Sequence, residues 1–318
     1  MRGVTGLVLA GLGACLILVA VLLPTWVTGQ VVKFPLNEQQ SATLQANNAS
    51  YFSATSLSLK TGVTMLATYE IKGDPSAGNS STAVWTQTST VEDVTNHQTV
   101  QQMTRTFAFN RRTAELVNCC GANINGNKKI LQTGYAGAVW PFGTQRQTYQ
   151  VFDTTLNKPM PFVYSGSTTI QGIGVYEFVE NVSPTLFATV SVPGALLGVK
   201  TALVKAGEYD QLHLIYYVDP ETGALLDVNE HQTVTLRTAA AAPGRLLFDA
   251  DLIATPATVD KTVALDSGGR NELTLLQTTL PLVFGIAGGV ALIAGVVLDR
   301  RPRVRAAKPD LVGAELAS

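Results

Sequence analysis

Histidine and cysteine are scarce: three of each in 318 residues. His97, His213 and His231 are scattered, and no two have the short spacing of a zinc site. No G-x-S-x-G elbow, P-loop or H-E-x-x-H occurs. Gln171-Gly172-Ile173-Gly174 lacks the third glycine and the following helix of a dinucleotide fingerprint, so it is a turn. Strong charge of one sign is missing too. The formal net charge is −1, and residues 28–279 carry 16 Lys plus Arg against 20 Asp plus Glu. Without a basic stripe, nucleic acid is not an expected partner. Carboxylate pairs do occur. Asp249 and Asp251 share a strand face by their spacing, and a pair about 7 Å apart suits glycoside hydrolysis. Solvated charge on a strand face is the simpler reading, and nothing nominates a nucleophile. The expectation is a protein that is not an enzyme, with no metal and no cofactor.

Long apolar runs are absent between residues 24 and 279. Val192–Val199 is the most apolar stretch there and is too short to span a bilayer. Both flanks differ. Val4–Leu23 and Leu280–Leu298 each approach the ~20 apolar residues of a membrane helix. Arg300, Arg301, Arg303, Arg305 and Lys308 follow the second run, and basic residues stay preferentially on the cytoplasmic side. Arg2 points the same way. The sequence therefore reads as an N-terminal transmembrane helix (1–27), an extracytoplasmic β domain (28–259), a membrane-proximal helix with the C-terminal transmembrane helix (260–299), and a basic cytoplasmic tail (300–318). Three readings of the first run stay open: a retained helix, a cleaved signal peptide, and lipidation at Cys15. Its length and the interfacial Trp26 favour the retained helix. Gly285 and Gly289 have G-x-x-x-G spacing and are candidates for packing against Gly3, Gly6, Gly11 and Gly13.

Threonine, valine, serine and glutamine dominate residues 40–255, with recurrent turn signals, which is strand composition. The pattern predicts strands over Val63–Lys72, Thr82–Val91, Gln147–Phe152, Phe162–Gln171 and Val175–Val182. The clearest hairpin joins His213–Val218 to Ala224–Val228 through Asp219-Pro220-Glu221-Thr222-Gly223, where Pro fixes φ and Gly supplies φ > 0. Thr104–Phe109, Asn110–Thr113 and Ala114–Val117 echo it, suggesting a duplicated unit. His97–Val100 and His231–Val234 are identical tetrapeptides, but one linear duplication cannot satisfy both echoes. Ser183–Gly207 reads as a loop, and Asp260–Gln277 as helix interrupted at Gly268-Gly269. The fold class is mainly β: an antiparallel β ectodomain, either single or of two related subdomains, between two transmembrane helices.

Trp140-Pro141-Phe142-Gly143, with Tyr149 and Phe152, is the densest aromatic stretch between the flanks. Such residues fill a β core or line a lipid-accepting cavity. For a cavity the expected lining is Trp140, Phe142 and Tyr149, helped by Val192–Val199, with Phe152 left to the core. Cys119 and Cys120 are adjacent. A vicinal disulfide, two reduced buried thiols and intermolecular pairing all remain open.

Five segments carry a resemblance: Val32-Lys33-Phe34-Pro35-Leu36, Cys119-Cys120-Gly121, Trp140–Thr144 with Gln147-Thr148-Tyr149, Asp219–Gly223, and Leu273–Pro281. Together they resemble the actinobacterial porin PorA family, over nearly the whole chain. The resemblance implies an extracytoplasmic domain that binds or passes an envelope lipid or glycolipid, alongside a membrane lipid exporter. It carries over no lipid-contacting residue. The alternative function is that of a scaffold for such an exporter.

Overall fold

The computed structural model describes residues 2–240 and 242–300. Arg301, Arg303, Arg305 and Lys308 of the basic cluster lie outside them. Two compact units result, one of helices from the two ends of the chain and one spanning Val32–Asn271.

In the helical unit, α1 (Arg2–Leu22) continues through a π-helical turn (Leu23–Val27) into the short α2 (Thr28–Val31). α4 (Leu280–Arg300) packs against α1. Both helices are long and apolar enough to cross a membrane, and they give the chain a two-pass membrane topology. Their close approach is made at Gly6 and Gly13 of α1 and at Gly288 and Gly295 of α4. A Cβ on Gly13 would collide with the Gly288 carbonyl and Leu292, and one on Gly295 with Gly6 and Ala10. The G-x-x-x-G pair Gly285 and Gly289 does not form this contact: a Cβ on Gly289 would meet nothing. Glycines seven apart stay on one seam of a nearly straight helix pair, whereas Gly289 is rotated off it.

The second unit is a twelve-stranded antiparallel sheet followed by α3 (Pro256–Thr274). Its strands are β1 (Gln39–Ser53), β2 (Ser58–Gly73), β3 (Thr82–Asp93), β4 (Gln98–Asn110), β5 (Leu116–Val117), β6 (Asn123–Ile124), β7 (Tyr149–Asp153), β8 (Lys158–Ile170), β9 (Ile173–Pro193), β10 (Leu203–Val218), β11 (Leu225–Arg237) and β12 (Arg245–Ala254). The order is β5-β4-β3-β2-β1-β12-β11-β10-β9-β8-β7, with β6 also on β4. This is two meanders joined at a β1–β12 seam. Period-two burial drives it: on β2, Val63, Met65 and Ala67 alternate inward against Leu44 and Ala46 of β1. Each large apolar side chain so buried contributes about 1.5–3 kcal/mol.

A short segment bridges the terminal strands β5 and β7. Leu116 N donates to Gly134 O (2.8 Å) and Ala136 N to Ala114 O (3.0 Å). On the other side Tyr135 N donates to Gln150 O (2.8 Å) and Phe152 N to Tyr135 O (3.1 Å). Gly134 has φ +85°, and a Cβ there would strike the Gln150 carbonyl oxygen, so the bridge needs glycine.

The hairpin echo belongs to a recurring turn. Turns beginning at Ser53, Asp93, Asn110, Asp153 and Asp219 each end four residues later at positive φ, at Leu57, His97, Ala114, Asn157 and Gly223. In each, the first side chain accepts from backbone N–H groups inside the turn. These side-chain bonds offset the strain of left-handed backbone at non-glycine residues. Local turn chemistry therefore explains the echo.

Two sequence-based boundaries shift. Ser183–Pro193 is strand rather than loop. The β9–β10 register slips between Asp210 and Leu212, opposite Val182 and Thr185, and that irregularity accommodates Pro184, which cannot donate to the ladder. Gly268-Gly269 does not interrupt α3, whose side chains anchor it to the sheet. Thr262 Oγ1 donates to Leu226 O (2.8 Å), Thr222 Oγ1 donates to Asp266 Oδ1, and Arg270 pairs with Asp219 (2.8 Å) and Glu221 (3.0 Å).

Candidate ligand-binding cavity

The inner face of the sheet is filled at some positions and hollow at others. A filled region surrounds Trp140, which is fully buried and stacks on Phe178 (4.4 Å between centroids), with Tyr149 and Phe162 edge-on. Residues 140–143 reach it by bridging two of the recurring turns. Trp140 N donates to Gly223 O, Gly143 N to Glu221 O and Phe142 N to Arg112 O. Phe142 stacks on Phe34 (4.5 Å), in a second aromatic group with Trp85, Phe107 and Phe109.

Trp140 and Tyr149 are thus buried and Phe142 half-buried against the aromatic groups, and none of the three lines the cavity between the two meanders' inner faces. Backbone bonds to the turns draw residues 140–143 inward, and Tyr149 is held by the Gln145 N–H donating to its hydroxyl (2.8 Å). Phe152 is the one of the group on the cavity wall, where the expectation left it to the core: β7 buries Tyr149 and Val151 on one face and Phe152 on the other. Val192–Val199 is absent from the wall.

The cavity has a volume of about 270 Å³, near the lower end of the ~300–1,000 Å³ typical of ligand sites. Its apolar wall includes Leu44, Ile71, Val91, Leu214, Phe248 and Leu252, and α3 adds Thr262 and Leu265. Polar groups interrupt this wall. Gln87 faces Arg105 across β3–β4, and Glu180 and Glu230 flank Leu214 on β9 and β11. Lys261, also on the wall, is tied to Ser41 (2.8 Å).

Burial sets the charge states. It pushes Glu180 up to about 8, helped by the charges of Asp153, Asp210 and Glu230. Glu230 is raised to about 7 by burial, with Asp210 and Asp153 nearby. It faces the void, so part of its surface is open to the cavity although protein surrounds it. Asp210 is raised to about 6 by burial, against the lowering effect of Gln232 Nε2, which donates to it (2.8 Å). Glu180 Oε1 and Asp153 Oδ2 each lack a donor as carboxylates. A proton on Glu180 supplies one and Asp153 accepts it, consistent with burial raising both groups. Arg105 is lowered to about 10 by burial and stays a cation at neutral pH.

The remaining sequence candidates lie elsewhere. Asp249 and Asp251 share a face, but the exposed one: Asp251 hydrogen-bonds His231 Nδ1 (2.6 Å) and Asp249 accepts from Thr233 (2.9 Å). Cys119 and Cys120 are joined by a disulfide, with Cys120 exposed at φ +60°. Among the described residues no group of three or more His, Cys, Asp or Glu could hold a metal ion. Sequence reasoning missed Arg105 and Glu180 as site residues, although both sit in register with inward aromatics. Arg105 alternates with Phe107 and Phe109, and Glu180 with Phe178.

No curated protein matches the chain. The family model described as Porin PorA matches residues 5–297. On that match across almost the whole sequence, the chain belongs to the porin PorA family.

Proposed function

We propose that this protein is a non-catalytic, membrane-anchored lipid or glycolipid carrier of the cell envelope, with its β unit outside the cytoplasmic membrane and both chain ends inside. Membership in a porin family and the two membrane helices support an envelope transport role. One observation carries the finer reading: an interior cavity combines an apolar wall with buried polar groups at few, fixed positions. An alkyl chain gains about 0.8 kcal/mol per CH₂ removed from water, and the polar groups orient a headgroup. A membrane lipid exporter is the proposed partner, as the resemblance implies.

The test is extraction and mass spectrometry of lipid co-purifying with the full chain in a detergent-free scaffold. A stoichiometric lipid, displaced when the cavity is filled by mutation, is the expected result. Absence of any lipid enriched over the surrounding bilayer sinks the reading. Orientation is tested separately. A reporter after Ser318 should be cytoplasmic, and one inserted in the Asp74–Ser81 loop should be outside.

A further inference from the structure

Arg105 is a buried cation that no ion pair among the described residues neutralises. It is 3% exposed and lines the cavity. Its Nε donates to Gln132 Oε1 (2.7 Å) and its Nη1 to Ala136 O (2.9 Å), both neutral acceptors. Its Nη2 has no hydrogen-bond partner. The guanidinium sits 4.5 Å from the Phe107 ring centroid and 5.3 Å from that of Phe152. No ion pair among the described residues includes it. Of the carboxyl groups in the same cavity, Asp153 accepts from the Thr155 and Leu156 N–H groups, and burial raises both Glu180 and Glu230.

Leaving a buried charge unpaired costs several kcal/mol, and an arginine has five N–H donors to satisfy. Here Gln132 and Ala136 fix the orientation from one side and leave Nη2 buried without an acceptor among the described residues. Gln132 is itself positioned: its Nε2 donates to Thr106 O (2.9 Å), and its backbone N–H donates to Asn118 Oδ1 (2.8 Å). A guanidinium held this way is preorganised for an oxyanion, which its unpartnered Nη2 can bind by a charge-assisted hydrogen bond.

We infer that Arg105 anchors an anion subsite in the cavity, taking the phosphate or carboxylate head of an amphiphile whose alkyl chain lies along the apolar wall. This rests on the reading of the cavity as a lipid site. The protonated Glu180 does not repel such a head.

The test uses the full chain in phosphatidylcholine nanodiscs, with empty nanodiscs as the blank. Calorimetry compares octyl phosphate, octanol and inorganic phosphate. Octyl phosphate should bind at least tenfold tighter than octanol. Arg105→Met should bring octyl phosphate down to the octanol level and leave octanol unchanged. Gln132→Glu supplies an internal counter-charge at the Nε edge and relieves the unpaired cation. It should weaken octyl phosphate at least tenfold even if Arg105→Met does not fold. Equal binding of octanol and octyl phosphate overturns the subsite and leaves the lipid reading standing. Inorganic phosphate binding as tightly as octyl phosphate, and depending on Arg105, keeps the subsite and sinks the lipid reading. No binding by any probe sinks both.

Discussion

On β3 and β4 the same inward face is solid at one end and hollow at the other. Trp85 pairs with Phe107, and the cluster around them is closed by Phe34 and Phe109. The next inward pairs along the strands are Gln87 with Arg105, Ser89 with Met103 and Val91 with Gln101, and all six line the cavity. The backbone register is continuous from Trp85 to Val91, so the difference lies in side chains alone. Aromatic pairs fill the width of the sheet and stabilise it. Smaller and polar residues leave space, and some of their polar atoms lack partners. A protein interior is close-packed by default, so the hollow stretch is a departure that stability alone does not explain.

The largest test of the contrast is Trp140→Ala in the filled region. Removing a fully buried indole stacked on Phe178 should cost about 3–5 kcal/mol. Denaturant unfolding of the β unit measures it, and an unchanged midpoint would erase the distinction between filled and hollow regions. Next comes pH. Glu180 is shifted from 4.5 to about 8 in the folded state. Between those values the folded protein holds a proton that the unfolded chain has released. Stability should therefore be greatest near the acidic end of that window and fall as pH rises towards 8. Glu230 and Asp210, raised to about 7 and about 6, act in the same direction. Glu180→Gln should flatten a melting-temperature profile between pH 5 and 8, by an amount on the order of a few kcal/mol in stability. A profile identical to wild type would mean that Glu180 ionises freely.

Ser89→Leu fills the hollow stretch opposite Met103. It should change stability by no more than about 1 kcal/mol, since space already exists there, while reducing co-purified lipid. Retained lipid would show that the ligand lies elsewhere. The smallest effect is expected from replacing Cys119 and Cys120 together by serine. The disulfide closes a minimal loop, and the chain-entropy contribution grows with loop length. A melting shift of at most a few degrees is expected. A loss comparable to that of Trp140→Ala would place the cysteines in the stability core instead.

Much of this architecture was legible because its causes are local. Strand-favouring composition between recurrent turn signals marked most strands, and Asp-Pro-Glu-Thr-Gly marked its turn through the conformations of Pro and Gly. The two membrane helices followed from length and apolarity. What failed needed tertiary information. Pro184 argued against a strand, yet a register slip tolerates it. For Trp140 and Tyr149 size and amphipathy left core and cavity both open, and backbone bonds to two distant turns draw their segment into the core. The polar site was half visible. A single arginine among Thr104, Thr106 and Phe107 reads as an ordinary strand residue until the alternation places Arg105, Phe107 and Phe109 on one face. That no ion pair among the described residues includes it is a fact about strands remote in sequence.

The β1–β12 seam sets the order in which the sheet can assemble. Leu44 pairs with Ala254, and Tyr51 with Phe248, across almost the entire β unit. Most other pairings join neighbouring strands through short turns, five of them pre-bent by side-chain bonds of their own. Hairpins close within microseconds, whereas distant pairings pay a loop-closure cost first. Each meander should therefore form as a unit, with the seam zipping last. In pulse-labelling hydrogen exchange during refolding, amides of the β3–β4 hairpin should gain protection before those that β1 and β12 exchange. Simultaneous protection would mean that the seam itself nucleates the fold.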